Sequence, residues 1–200
     1  MVTKESLLLL FNKWNTDDIE IQDSGLKNVI ALDPAIIPIS FGRHEHQRLK
    51  KAEVHIIERL VNKLMHFGKK YAKNTGRMGG KKSRIIKTVK TALDLIYQET
   101  GKNPVELLIR AIENAAPNED TTRIVYGGVV YHVSVDVAPL RRIDLALRFI
   151  AEGVRESTYS NPKTIEEALA KEIILASNNS MESHSVKKKN EQERIAMSSR

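Results

Sequence analysis

Apolar residues recur at helical spacing along most of the chain and alternate in only one stretch. From Lys51, the residues Val54, Ile57, Val61 and Leu64 fall on one face while Arg59, Lys63, His66 and Lys70 line another, which predicts an amphipathic helix. A second helix is predicted over 82–99, with Ile85, Val89, Leu93 and Ile96 inward, Arg84, Lys87 and Lys90 outward, and Gly101 as its stop. Asn103, Pro104 and Glu106 then supply a cap, a first-turn proline and an N3 carboxylate for a third. Pro139 opens a fourth, carried by Leu140, Ile143, Leu147, Ile150 and Val154. Thr164, with Glu167 three residues on, opens a fifth. The tail "HSVKKKNEQERIAMSSR" is polar and basic, with only Val186, Ile195 and Met197 to anchor a final helix.

Between "NAAPNED" and Pro139 the period changes. Val129, Tyr131, Val133, Val135 and Val137 alternate, preceded by "TRIVY" and a Gly127-Gly128 tip, which predicts a β-hairpin. Two readings of it fit the pattern: a hairpin packed on the bundle, or a ribbon whose base rests on helices while its tip projects. Residues 1–50 lack sustained periodicity. There "SLLLLFNKW" predicts a short helix and "DPAIIPIS", with two prolines, an extended peptide. The fold class is therefore mainly α: a bundle of about six helices with one protruding two-stranded hairpin and an extended N-terminal segment. The chain divides into an N-terminal extension (1–50), a helical core (51–180) with its ribbon at about 122–137, and a basic helix or tail (181–200). The composition of both extensions predicts disorder in the free protein.

Charge sharpens this picture. The 200 residues carry net +7, but residues 43–90 hold 15 Lys and Arg against Glu45, Glu53 and Glu58, a local +12 on a body of −5. These cations lack the interspersed glutamates that would neutralise them along a helix, and they run on through the glycine-rich "KKYAKNTGRMGGKKSR". Such a patch meets a polyanion. Aromatics make up only 5%, so stacking on single-stranded bases is not indicated. The helices show lysines, point charges toward phosphates, rather than the Arg, Asn and Gln of a DNA-reading helix. Structured RNA fits best; a DNA-associated regulator and an adaptor for membrane surfaces or acidic proteins are the competing readings.

Catalytic chemistry finds no support. Without cysteine there are no disulfides, thiolate nucleophiles or cysteine-ligated metals. "TGRMGGKKS" fails the phosphate-loop spacing at both ends, because Thr75 stands where the first glycine belongs and Lys82 where Ser or Thr belongs. His44 and His46 flank Glu45 without a third ligand nearby, and His55, His66, His132 and His184 are dispersed. Glu166-Glu167 and Asp17-Asp18 are adjacent surface pairs. No catalytic residue, cofactor, metal or membrane span is predicted.

The runs "IIERLVNKLMHFGKK", "GGKKSRIIKTVKTALDLI", "GKNPVELLIRAIENAAP" and "VYHVSVDVAPLRRIDLALRFI" resemble the universal small-subunit ribosomal protein seven family. "LFNKWNTDDIEI" and "SHSVKKKNEQERIAMSSR" are similar to its archaeal and eukaryotic branch, and "AKNTGRMGG" is longer than the bacterial form of that loop. The resemblance implies a cytoplasmic, ribosome-bound protein that binds the 3′ major domain of small-subunit ribosomal RNA and initiates head assembly. It also implies a ribbon near exit-site transfer RNA, messenger RNA and the neighbouring ribosomal protein eleven. On this reading Arg43, Arg48, Lys50 and Lys51 hold the N-terminal peptide to RNA. Lys69, Lys70, Lys73, Arg77, Lys81, Lys82, Arg84 and Lys87 form the main phosphate-contacting surface, and Lys187, Lys188 and Lys189 add a second. Arg123, Tyr126, Gly127, Gly128, Val129 and Tyr131 form the ribbon facing transfer and messenger RNA.

One local rule is broken. Arg141 and Arg142 occupy the first turn after Pro139, where the helix dipole disfavours cations. They are expected to face phosphates beside the ribbon's base, unless Asp136 or Asp144 pairs with them.

Overall fold

A computed structural model describes residues 8–65 and 78–200. Six α-helices occur among them: α1 (Ile56–Leu64), α2 (Lys82–Thr100), α3 (Pro104–Ala115), α4 (Pro139–Thr158), α5 (Ile165–Ser177) and α6 (His184–Ser198). The chemistry read at their ends operates as expected. Asn103 caps α3, accepting from the Val105 amide at 3.1 Å. Thr164 and Glu167 form a reciprocal capping box, and Gly101 ends α2 in the left-handed conformation at φ 67°.

At the centre lies α5, packed against α2, α3 and α4. Its inward residues include Ala168, Ala170 and Ala176 beside Leu169 and Ile173. The small side chains let neighbouring helices approach closely, while α2 and α4 bring the larger Ile, Leu and Val. A well-packed apolar core of this kind supplies most of the folding free energy.

The N-terminal segment joins that core. Leu10, Phe11, Leu26 and Ile30 are buried, and the Ile56 amide donates to the Ala31 carbonyl at 3.0 Å. Within the segment expected to be helical, residues 8–15 form a tight turn instead. Leu10 and Trp14 pair across it, Phe11 and Asn12 take positive φ, and Trp14 tilts against Tyr97 with ring centroids 5.1 Å apart. Burial of Leu10 and Phe11 outweighs the helical preference of the leucine run, since a helix this short is marginal alone.

The first core helix also starts later than its pattern suggests. Lys50–Glu53 is a short 3-10 turn, and α1 begins at Ile56 because the His55 imidazole accepts from the Ile57 amide at 3.1 Å. Arg59, expected on an outward face, is buried together with Glu58. His66 and Lys70, the continuation of that face, lie outside the described residues.

The hairpin comprises β1 (Glu119–Tyr126) and β2 (Val129–Asp136), three residues longer at its start than expected. Gly127 and Gly128 take φ of 59° and 81°, the two left-handed positions a two-residue turn needs to match strand twist. Of the two readings, the projecting ribbon is observed. Ile124, Val125, Tyr126, Val129, Val130 and Tyr131 are each about half exposed or more. Among the described residues only the base is anchored: the Asn118 amide donates to Glu193 at 2.9 Å, the Ser134 amide to the Ser199 carbonyl at 3.3 Å, and Arg200 pairs with Glu119.

The tail forms the final helix that its pattern predicts. Its anchors are not Ile195 and Met197, which are exposed; Val186 and Ala196 are buried. The rest is polar. Glu172 Oε1 on α5 accepts from Ser183 Oγ at 2.8 Å and from the Ser185 amide and hydroxyl, each at 2.9 Å. A buried carboxylate with three donors is a strong tether, and composition alone does not reveal it.

Candidate nucleic-acid interface

Lys81, Arg84, Lys87 and Lys90 are spaced three residues apart, so they form one slowly wrapping row at the start of α2. All four are exposed, and none forms an ion pair with a described residue. Their apolar counterparts Ile85, Val89 and Leu93 fix the rotation of the helix in the core, so this face must point outward. The row also works against its own helix: no acidic residue occupies the first turn, where the dipole favours one. A surface row of like charge with no internal partner suits an external polyanion.

Other expected contacts have internal partners. Lys82 donates to the buried carboxylate of Glu58, which also accepts from the Ser40 amide and hydroxyl at 2.8 Å each. Burial pushes Glu58 upward, but these donors hold its carboxyl below the usual range. Lys51 pairs with Asp144 at 2.8 Å, and Lys188 with Glu191 at 2.7 Å. Lys187 is exposed and, like Lys189, has no ion-pair partner among the described residues. Arg43, in the 3-10 turn Arg43–His46, and Arg48 are exposed, with Lys50 partly covered just beyond. Lys69, Lys70, Lys73 and Arg77 lie outside the described residues.

The two first-turn arginines are also satisfied internally, through carboxylates other than Asp136 or Asp144. Arg141 Nη2 lies 3.1 Å from Asp120 Oδ2. Arg142 donates to Asp23 at 2.8 Å and to the Pro117 carbonyl at 3.2 Å. A paired cation costs little beside the dipole, which accounts for the broken rule. Arg141 keeps 64% of its side chain exposed and can serve a second acceptor; Arg142, at 12%, is part of the protein's own scaffold.

Asp144, on α4, instead gathers three cations from the N-terminal half. Lys51 reaches it at 2.8 Å, and Arg59 Nη2 and Lys63 Nζ each at 3.6 Å. Periodicity points to Arg59 as a surface residue; only the packing of α1 on α4 shows that it is enclosed. No group of three or more His, Asp or Glu among the described residues is placed to hold a metal. Among them, too, no helix is long and apolar enough to cross a membrane.

A projecting ribbon on an α-helical core and an exposed cationic row suit a scaffold protein for a polyanion. Residues 26–200 match the ribosomal protein S7p/S5e family, and the chain belongs to it. It is a ribosomal structural protein, a component of a ribonucleoprotein rather than an enzyme. It is 63% identical over 193 residues to the small ribosomal subunit protein uS7 of Cenarchaeum symbiosum (strain A). That alignment covers 96% of this chain and 97% of the relative.

Proposed function

We propose that this chain, as a structural protein of the small ribosomal subunit that binds its ribosomal RNA, seats the 3′ major domain against the cationic face of α2. Binding there orders the RNA for assembly of the subunit's head, in the cytoplasm. The observation that carries this reading is the exposed row Lys81, Arg84, Lys87 and Lys90, without an ion-pair partner among the described residues. Arg43, Arg48 and Lys50 extend the surface along the N-terminal peptide, and Lys187 and Lys189 along α6. Arg141 adds a contact at the base of the ribbon.

The ribbon serves a separate purpose. Its Tyr126, Val129 and Tyr131 are each half or more open to solvent. They offer an apolar and aromatic edge to the exit-site transfer RNA, the messenger path and a neighbouring protein, ribosomal protein eleven. Arg123, exposed on β1, supplies a charge on the same ribbon.

The test is affinity for a 3′ major domain RNA fragment as a function of salt. Each phosphate contact removed by substitution of Arg84, Lys87 or Lys90 should lower the log–log slope by roughly 0.7–0.9. An affinity indifferent to salt would overturn the reading. Deleting residues 126–131 should leave RNA binding intact and disturb exit-site behaviour of assembled subunits; exclusion of the deleted protein from subunits would show that the ribbon is required for assembly instead.

A further inference from the structure

Three large apolar residues among those described hold left-handed backbone: Phe11 at φ 54°, Phe41 at φ 52° and Leu49 at φ 65°. That conformation crowds any side chain, and bulky residues seldom adopt it. Phe11 is 5% exposed, so its burial in the core offsets the strain. Phe41 and Leu49, at 80% and 66% exposed, have no such compensation. The other non-glycine residues with positive φ are the polar Asn12, Ser160 and Asn179.

Phe41 is also held in place. The Arg43 amide donates to the Ser40 carbonyl at 3.2 Å, and Gly42 is left-handed at φ 74°, which closes a tight turn around the ring. Two left-handed central residues favour Asn-Gly, yet a phenylalanine stands first. Glu58 clamps the start of the turn, accepting from the Ser40 amide and hydroxyl at 2.8 Å each. The ring is thus presented to solvent from a fixed base, at a conformational cost to the free chain. An outlier of this kind points to use by a partner.

The surroundings say which partner. Arg43, Arg48 and Lys50 have no ion-pair partner among the described residues. Arg43 and Lys50 line one cleft of about 290 Å³ with Pro38, Ile39, Asp33 and Glu53, and Glu45 lies beside His44 at 3.4 Å. Carboxylates among the cations ill suit an anionic membrane. A nucleotide suits all of these groups: it brings a phosphate for the cations, a ring face for Phe41 and amino donors for the carboxylates.

We infer that Phe41 is a stacking platform for an unpaired base of RNA whose flanking phosphates lie on Arg43 and Lys50. The low aromatic content of the chain does not weigh against it, because one ring suffices when the backbone holds it outward. Leu49, on the 3-10 turn packed against that of Arg43, offers the same strand a second apolar surface. The site rests on the RNA-binding reading above and adds a base contact to a surface otherwise made of phosphate contacts.

The experiment measures how the full chain binds a short oligoadenylate and an abasic strand with the same number of phosphates. Phe41→Asn should weaken oligoadenylate binding by roughly 5- to 150-fold, the worth of one stacked base, and leave the abasic strand unchanged. Phe41→Trp should keep the affinity and show quenching by oligoadenylate beyond that of Trp14 in the wild type. In urea, Phe41→Asn should be at least as stable as the wild type, since asparagine accepts left-handed backbone. A lower stability would mean that the ring serves the fold, and would overturn the site. So would equal or absent oligoadenylate binding in wild type and Phe41→Asn, an equal loss for the abasic strand, or Phe41-dependent binding to phosphatidylglycerol vesicles alone. The two readings fail separately, because the salt dependence with a 3′ major domain fragment tests the α2 row and the oligoadenylate tests the ring.

Discussion

Arg142, in the first turn of α4, donates through Nη2 to Asp23 Oδ2 at 2.8 Å, joining residues 119 positions apart. The contact ties the N-terminal segment to the start of the ribbon-bearing helix, and Nε adds the Pro117 carbonyl just before β1. Burial raises the Asp23 carboxyl, but Arg142 and the Gly25 and Leu26 amides bring it below its ordinary value. Arg142→Ala should therefore cost about 1–3 kcal/mol in urea unfolding, as expected for a charged hydrogen bond in a half-buried site. Because the folded value of Asp23 is depressed, its contribution is present above pH 3.8 and fades as pH falls through the folded value. A double-mutant cycle with Asp23→Asn should show coupling at pH 7 that weakens as pH falls below 3.8. RNA affinity that collapses in Arg142→Ala while stability holds would reverse this assignment.

The helices were legible in the sequence where local chemistry and burial agree. The Asn103 cap, the Thr164–Glu167 box, Gly101 and the Gly127-Gly128 turn each specify one backbone geometry, and each is found. Failures occurred where a distant partner decides. Nothing near Arg59 or Glu58 announces that α4 and Lys82 will enclose and neutralise them. The docking of α6 likewise depends on Glu172, eleven residues before Ser183, which donates to it. Of the interface, the α2 row could be read because its apolar face fixes its rotation; the pairings of Lys51, Lys82 and Arg142 could not, since all three are long-range.

His55 gives the fold a pH dependence of its own. It is 7% exposed, and its Nδ1 must stay unprotonated to cap α1. Burial is the main cause that lowers its pKa from 6.5 to about 4, while Asp33 and Glu58 pull the other way. Between those values the unfolded chain binds the proton and the folded one does not, so stability rises with pH across the window. The full span corresponds to roughly 3 kcal/mol. Urea midpoints should therefore fall between pH 7 and pH 4.5. His55→Asn keeps a capping acceptor without the titration, and should flatten the profile across that range; an unchanged slope would rule His55 out as its source.

Lys82 and Lys87, five residues apart on α2, should separate stability from binding. Among the described residues, removing the Lys82 ammonium leaves the buried Glu58 carboxylate only its Ser40 donors, whereas Lys87 is exposed and has no ion-pair partner. Lys82→Met should lower stability by about 1–3 kcal/mol, a partly solvated version of breaking a buried pair, with the salt slope of RNA binding unchanged. Lys87→Met should leave stability within about 0.5 kcal/mol and reduce that slope by roughly 0.7–0.9. Denaturation and salt-titrated RNA binding on the same two variants check this, and the opposite pattern would make Lys82 the RNA contact.

Gly153 marks where α6 is received. A helix-interior glycine costs about 1 kcal/mol against alanine, so Gly153→Ala would stabilise an isolated α4. In the folded chain the added methyl would stand 2.8 Å from His184 Cβ and 3.1 Å from the Glu172 carboxylate, at the junction of α4, α5 and α6. Something must shift, and the Glu172 oxygen that would move is the one bound to Ser183 and Ser185. Overpacking of this kind costs roughly 1–3 kcal/mol, and its effect should fall first on α6. Hydrogen exchange should therefore speed up at the amides of α6 and at Ser134, which is bonded to the helix's C-terminal end, while α3 keeps its protection. Uniform acceleration across all helices would indicate a general loss of stability; unchanged exchange at α6 would show that Glu172 is not its tether.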